Sequence, residues 1–296
     1  MKKIIICLFL SAGLSGCHVY RTYERPDTTV TDSLYRQPVV AGDTASIASL
    51  SWKELFTDPQ LQQLIETGIA NNTDLNIARL KVKEVEALLP SVSLTPQGTL
   101  SSVDGSKTSK TYDLAASADW ELDIFGKLTN AKRGVKATLE QSEAYRQAVQ
   151  TQLVATIANS YYTLLMLDEQ LEISKTTAET WKKTVASTQA LMEAGQADEA
   201  AVSQMKATCY EVENSVIDLE EQINQVENTL SLLLAETPHE IPRGKLAEQS
   251  FNHSLSLGVP IQLLANRPDV RVAEHELEQA FYVTNQANSA FYPSIT

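Results

Sequence analysis

Carboxylates abound in this chain, but the histidines and cysteines that would join them in a metal or catalytic site are few and scattered. The four histidines are His18, His239, His253 and His275. None has a histidine or cysteine at the spacing of a zinc site, and His275-Glu276-Leu277-Glu278 lacks the second histidine of a metalloprotease helix. The paired acids Glu220-Glu221 and Glu276/Glu278 read as solvated helix faces. The chain has no glycine loop to cradle phosphate and no Gly-x-Ser-x-Gly elbow to raise a nucleophile. These residues point away from an enzyme, and no cofactor or metal is expected. Of the three cysteines, Cys7 and Cys17 lie in the first stretch of the chain, which leaves Cys209 alone and excludes a disulfide framework downstream.

Cys209 belongs to a periodic run, and that run organises the chain. Val202, Met205, Cys209, Val212, Val216, Leu219, Ile223, Val226, Leu230 and Leu233 alternate at spacings of three and four. A repeat averaging 3.5 residues is the seam of a left-handed coiled coil, so this helix needs a partner and the Cys209 thiol is expected to be packed. Upstream, Leu153, Ile157, Leu164, Leu167, Leu171, Ala178, Trp181, Val185 and Met192 keep the same register. Between the runs, Gly195 can end one helix in the left-handed conformation and Asp198 can cap the next. The spacing predicts an antiparallel helical hairpin. No proline interrupts residues 128–237, so the first arm can run over 128–194. At a rise of about 1.5 Å per residue that arm is on the order of 100 Å long.

The N-terminus reads as an export signal: Met-Lys-Lys, a short apolar run over 4–10, and then small residues. The run is too short to span a bilayer. Leu14-Ser15-Gly16-Cys17 resembles a bacterial lipobox, which implies that Cys17 carries acyl chains and anchors the mature chain to membrane lipid, with His18 favouring the outer membrane. Loss of Lys2 and Lys3 takes the formal charge from −13 to −15. A chain this acidic, with no basic patch among aromatics, is a poor partner for nucleic acid.

Six segments follow. Residues 1–16 are the signal, and 17–50 form a polar, extended leader. Residues 51–90 hold a first helix after the Asp58-Pro59 start signal, carrying Leu61, Leu64, Ile65, Ile69, Leu75, Ala78, Leu80, Val82 and Val85. Over 91–121 the period changes to two, in Ser91-Val92-Ser93-Leu94-Thr95-Pro96-Gln97-Gly98-Thr99-Leu100 and again through Tyr112, Leu114, Ala116, Ala118 and Trp120. These are two strands of a β-hairpin. Alternation suits both a transmembrane barrel and a soluble sheet, and one hairpin cannot close a barrel in lipid by itself. Residues 122–237 are the helical hairpin with its tip near 195, and 238–296 are a linker and the start of a second repeat.

At the strand-to-helix joint, Trp120-Glu121-Leu122-Asp123-Ile124-Phe125-Gly126-Lys127 resembles the signature of the outer-membrane factor family, the TolC-like exit ducts of tripartite efflux pumps. The segment 230–238, the stretch Gly258-Val259-Pro260 with Arg267-Pro268-Asp269-Val270 and Ala273-Glu274, and Phe291-Tyr292-Pro293 resemble later family motifs in the same order. Together with Cys17 the match points to the NodT/CusC lipoprotein branch. Two departures stand out. Ala235 replaces a usual glycine, and at the tip Gly195 and Val202 match while Asp198 and Ala201 replace a Ser and an Asp.

The resemblance implies a mainly α protomer with a β-hairpin: a long antiparallel coiled-coil hairpin below transmembrane barrel strands. It implies a passive exit duct for small molecules or metal ions, homotrimeric when full length, meeting a periplasmic adaptor and an inner-membrane pump. Trp120 is then an anchor at the barrel rim or core at the joint, and Arg267 with Asp269 either ties the equatorial region together or starts a helix. Residues 72–78 and 267–273 repeat one pattern, as do Pro90-Ser91-Val92 and Pro293-Ser294-Ile295, but the first copy is eight residues shorter between Asp74 and Pro90. That gap is expected to shorten the first helix or pull its strand inward. The sequence as given stops at Thr296, as the second copy would begin its strands, so the resemblance implies half of a duct that does not close a trimeric channel by itself. The rival readings are a periplasmic spacer or adaptor lipoprotein, and a non-functional truncated duct.

Overall fold

The computed structural model describes residues 21–26, 51–87, 123–250 and 267–293. Its helices are α1 (Trp52–Leu55), α2 (Pro59–Asn71), α3 (Thr73–Ala87), α4 (Lys127–Glu193), α5 (Glu199–Leu234) and α6 (Pro268–Ser289), with one 3-10 turn at Leu246–Glu248. Among the described residues there is no strand. The signal 1–16, Cys17 and the β-hairpin 91–121 lie outside them. No described helix is long and apolar enough to cross a membrane.

The chain divides into two compact units, Met1–Arg36 with Arg79–Arg146 and Leu264–Thr296, and Gln37–Ala78 with Gln147–Leu263. The second holds most of the hairpin. α4 is one helix of 67 residues and α5 one of 36. α4 ends in a Schellman motif: Gly195 at φ 73° donates to Met192 O at 2.9 Å, and Gln196 N–H reaches back to Leu191 O at 2.8 Å. Asp198 then caps α5 by accepting from Ala201 N–H at 2.8 Å.

The register is antiparallel and symmetrical about the tip. Lys182 pairs with Glu213 and Lys175 with Glu220, one heptad further from the turn on both arms. These bridges are about half exposed, so they mark the register and add little stability. Stability comes from the seam. Leu153, Ile157, Leu164 and Leu167 on α4 and Val202, Cys209, Ile223 and Leu230 on α5 are buried as the spacing predicts. Each buried aliphatic side chain of this size contributes about 1.5–3 kcal/mol. At the end of α5 the seam shifts by one residue: Leu234 is buried and Leu233 half-buried, because the helix turns into its cap there. Toward the tip the seam thins. Ala178 is the last fully buried apolar residue of α4, and Trp181, Val185 and Met192 are only half-buried.

The first helix expected over 51–90 is broken into three. Asn72 is the reason for the second break. Its amide oxygen accepts from Leu75 N–H at 3.0 Å and starts α3, while its amide nitrogen donates to Leu233 O at 3.0 Å. α2 packs on the hairpin so closely that a Cβ built on Gly68 would lie 2.5 Å from Ile157 Cδ1.

In the first unit, α6 lies against the start of α4 and residues 21–26. Phe125 stacks on Tyr292 at 4.6 Å, Ser289 Oγ donates to Phe125 O at 2.8 Å, and Arg25 pairs with Glu274 at 2.8 Å. α3 is helical over 15 residues up to Ala87, the last described residue before Pro90, and α6 over 22.

Candidate functional site at the hairpin tip and the helix start

The tip is open. Nothing lies within 4 Å of a Cβ built on Gly195, and the residues around it are exposed. Val202 is buried one turn inside α5 and sets the first rung of the seam. The tip therefore presents a turn of fixed shape with little of its own chemistry.

The strand-to-helix signature has a local explanation where it is described. Asp123 accepts from Leu128 N–H at 2.9 Å, and from Thr129 N–H at 2.8 Å and its hydroxyl, satisfying amides at the start of α4. Burial works to raise this carboxyl, but the bonds from Thr129 and Leu128 outweigh it and hold Asp123 below the usual range. Gly126 has φ 72° and is buried, and its carbonyl accepts from both Asn130 N–H and Asn130 Nδ2 at 2.8 Å. Asp and Gly at these positions start the long helix, and Phe125 ties that start to α6. Trp120, Glu121 and Leu122 lie outside the described residues.

Arg267 and Asp269 pair with each other at 2.6 Å, both more than half exposed, with Arg267 at the N-cap of α6 and Pro268 in its first turn. The hydrogen bond from Arg267 holds the Asp269 carboxyl low. This geometry places the pair at the start of α6. Ala273 and Glu274 follow on α6, Glu274 holding Arg25.

Sequence reasoning missed two polar nodes in the second unit. In one, Arg243 from the linker lies between the hairpin arms. It binds Asp168 of α4 through Nε and Nη2, the latter at 2.9 Å, and Glu227 of α5 through Nη1 at 2.5 Å. The hydrogen bond to Asp168, ahead of the opposing burial and the bond to Glu227, locks the guanidinium in its charged form. In the other, the buried Tyr161 donates to Asp58 Oδ2 at 2.7 Å and accepts from Gly244 N–H at 3.1 Å, while Gln249 Nε2 donates to the same carboxylate oxygen at 2.8 Å. Burial pushes the Tyr161 hydroxyl far up. Asp58-Pro59 was legible as a cap; nothing in the sequence linked it to Tyr161.

The acids of α6 need a correction. Glu278 was expected on a solvated face, yet its side chain is only 22% exposed and contacts His275 at 3.2 Å. The cause is the neighbouring α4, whose Glu140 approaches the same imidazole at 3.6 Å.

A 67-residue helix folded back at one capped turn onto a 36-residue helix, with polar nodes holding its base, defines a long helical hairpin. The family model described as outer membrane efflux protein matches residues 64–236, and the chain belongs to that family. It is similar to the probable efflux pump outer membrane protein TtgC of Pseudomonas putida, at 30% identity over all of this chain and 66% of TtgC. It is also similar to the probable outer membrane lipoprotein SilC of Salmonella typhimurium, at 30% identity over 96% of this chain and 64% of SilC. A crystal structure of CusC, from work on its folding and transmembrane channel formation, superposes with a TM-score of 0.73 at 25% identity, covering 93% of this chain and 64% of CusC. The chain thus spans about two thirds of these relatives' length.

Proposed function

We propose that this chain is an outer-membrane component of a tripartite efflux pump, a passive exit conduit for small molecules or metal ions that performs no chemistry of its own. The observation that carries this reading is the 67-residue helix folded back through Gly195 onto a 36-residue partner. Such a rod reaches about 100 Å and suits a duct crossing the periplasm.

In this reading Cys17 is acylated and anchors the chain to outer-membrane lipid, as the lipoprotein relative SilC supports. The leader 17–50 tethers the body, and residues 91–121 contribute a β-hairpin to a membrane barrel whose lumen side carries Ser91, Ser93, Thr95, Gln97 and Thr99. Trp120 anchors the barrel rim, Glu121 and Leu122 continue the strand-to-helix joint, and the tip from Gly195 to Val202 docks a periplasmic adaptor linked to an inner-membrane pump. Three copies complete the tunnel. The outward apolar side chains Ile173, Tyr210 and Ile217, each about 60% exposed, are what lateral association with neighbouring copies would cover. Cargo would diffuse through a water-filled lumen while the inner-membrane pump supplies the energy.

The test is to produce the chain in a bacterium with two membranes and follow it through fractionation. The expected result is recovery with the outer membrane, palmitate labelling that Cys17→Ala abolishes, slow heat-sensitive migration on a gel, and photo-crosslinking from Gln196 to a periplasmic adaptor. Release by lipase as a soluble monomer would instead support a spacer lipoprotein and overturn the duct.

A further inference from the structure

In the first unit, the early turns of α4 and the helix α6 bring three ligand-type side chains to one point. His275 and Glu278 are one turn apart on α6, and Glu140 reaches them from α4. His275 Nδ1 lies 3.2 Å from Glu278 Oε2 and 3.6 Å from Glu140 Oε2, and donor atoms of all three lie within 4.8 Å of one another. We propose that Glu140, His275 and Glu278 bind a divalent transition-metal ion of the zinc type, which clasps α4 to α6.

The geometry and the donor set carry the assignment. Ligand atoms about 2.0–2.1 Å from a tetrahedral zinc ion stand about 3.3 Å apart, and the separations of His275 Nδ1 from the two carboxylates bracket that value. One imidazole nitrogen with two carboxylate oxygens is a three-ligand set that leaves a fourth position for water. Calcium and magnesium fit poorly, since one of the three donors is nitrogen and those ions take six or more oxygens.

The surroundings agree. Through Nδ1 a neutral imidazole can donate to only one of the two carboxylates, whereas a dication balances both. Lys136 approaches the other oxygen of Glu140, Oε1, at 3.5 Å and leaves Oε2 turned to His275. The three side chains are 18–36% exposed, sheltered but open to an arriving ion. A separate observation concerns Tyr23, whose buried hydroxyl has no hydrogen-bond partner among the described residues. After burial itself, the charges of Glu274 and Glu278 push its ionisation up.

The experiment uses the full chain in detergent, stripped with a chelator and titrated with zinc chloride by calorimetry, with unfolding midpoints read in parallel. One equivalent is expected to bind and raise the midpoint, and binding is expected to weaken as pH falls because protons compete for the ligands. His275→Gln and Glu140→Gln are each expected to weaken binding at least tenfold. Glu140→Gln removes a ligand from α4 and leaves α6 untouched, so the result does not hinge on one helix. His239→Gln is the control: His239 meets the Thr237 carbonyl at 2.9 Å and one carboxylate, Glu236, at 3.6 Å, which does not make a three-ligand site. No binding, unchanged affinity in both ligand variants, or equal loss with His239→Gln overturns the site. None of these outcomes depends on the chain acting as a duct.

Discussion

Asp168 and Glu227 hold the same guanidinium from opposite arms of the hairpin, Asp168 through two bonds and Glu227 through one. They form the rung one heptad beyond Lys175 and Glu220, but here both members are acidic. Arg243 from the linker supplies the missing cation, and Glu227 also accepts from Ile241 N–H at 3.3 Å. The side chains of Arg243 and Glu227 are 12% and 9% exposed, so the pair is largely desolvated. Removing one member of such a pair costs about 3–5 kcal/mol, and the lower end applies because Asp168 is more open to water. Arg243→Met is therefore expected to lower the thermal midpoint of helix unfolding, measured by circular dichroism. Adding Glu227→Gln should recover part of that loss.

Gly195 and Ala235 end their helices with the same pair of hydrogen bonds. Ala235 donates to Leu232 O at 3.1 Å and Glu236 to Ser231 O at 2.9 Å, repeating the pattern at Gly195 and Gln196. Yet Ala235 takes φ 56°, a conformation that costs a residue with a Cβ about 1–2 kcal/mol. Ala235→Gly is expected to stabilise the chain by about 0.5–1 kcal/mol once the glycine's larger unfolded-state entropy is set against the relief of strain. Gly195→Ala should destabilise it by a similar amount, since no neighbour stands near that Cβ and only the backbone pays. Denaturant midpoints of the two variants, moving in opposite directions, are the measurement.

These contrasts show which features a sequence displays. The arms, the tip at Gly195 and the Asp198 cap were legible because each depends on residues within a turn or two of one another. The heptad seam was legible because its period persists for many turns. The breaks around α2 were only partly so: Asp58-Pro59 marks a start, but Asn72 acts as a junction through Leu233, far along the chain. Arg243, Tyr161 and Glu278 left no periodic trace, since their partners are set by which elements pack together. Ala235 was visible only as a departure from a family pattern, and its backbone angle explains why glycine is usual there.

Gly68 reports how closely α2 approaches the hairpin. A Cβ at this position would lie 2.5 Å from Ile157 Cδ1 and 3.6 Å from Leu234 Cδ2. Alanine gains about 1 kcal/mol over glycine within a helix, while overpacking a core costs about 1–3 kcal/mol. Gly68→Ala should therefore be net destabilising by about 1 kcal/mol. Ile157→Val removes the offending methyl and costs about 0.5–1.5 kcal/mol alone, so the double variant should be more stable than the sum of the two changes. A double-mutant cycle in urea reads that coupling, and simple additivity would contradict the close approach.

The Asp58 node gives the fold an acid limit. Burial tends to raise this carboxyl, but hydrogen bonds from Tyr161, Gln249 and the amides of Gln60 and Leu61 outweigh it and hold Asp58 below its ordinary value. A carboxyl with a depressed value in the folded state adds stability that is present above its unfolded value, about pH 4, and disappears as pH falls through the folded value. Thermal midpoints measured between about pH 7 and pH 2 should therefore fall more steeply below pH 4 in the unaltered chain than in Asp58→Asn, where asparagine can still cap α2 but cannot ionise. Tyr161→Phe removes the first of the bonds that hold the carboxylate down, so the acid-induced fall should be smaller and should level off at a higher pH. It also leaves Gly244 N–H without the hydroxyl that accepts from it, and a loss of about 1–3 kcal/mol at neutral pH should accompany the shift. Parallel pH profiles for the unaltered chain and Asp58→Asn would show that the node holds no ionised carboxylate.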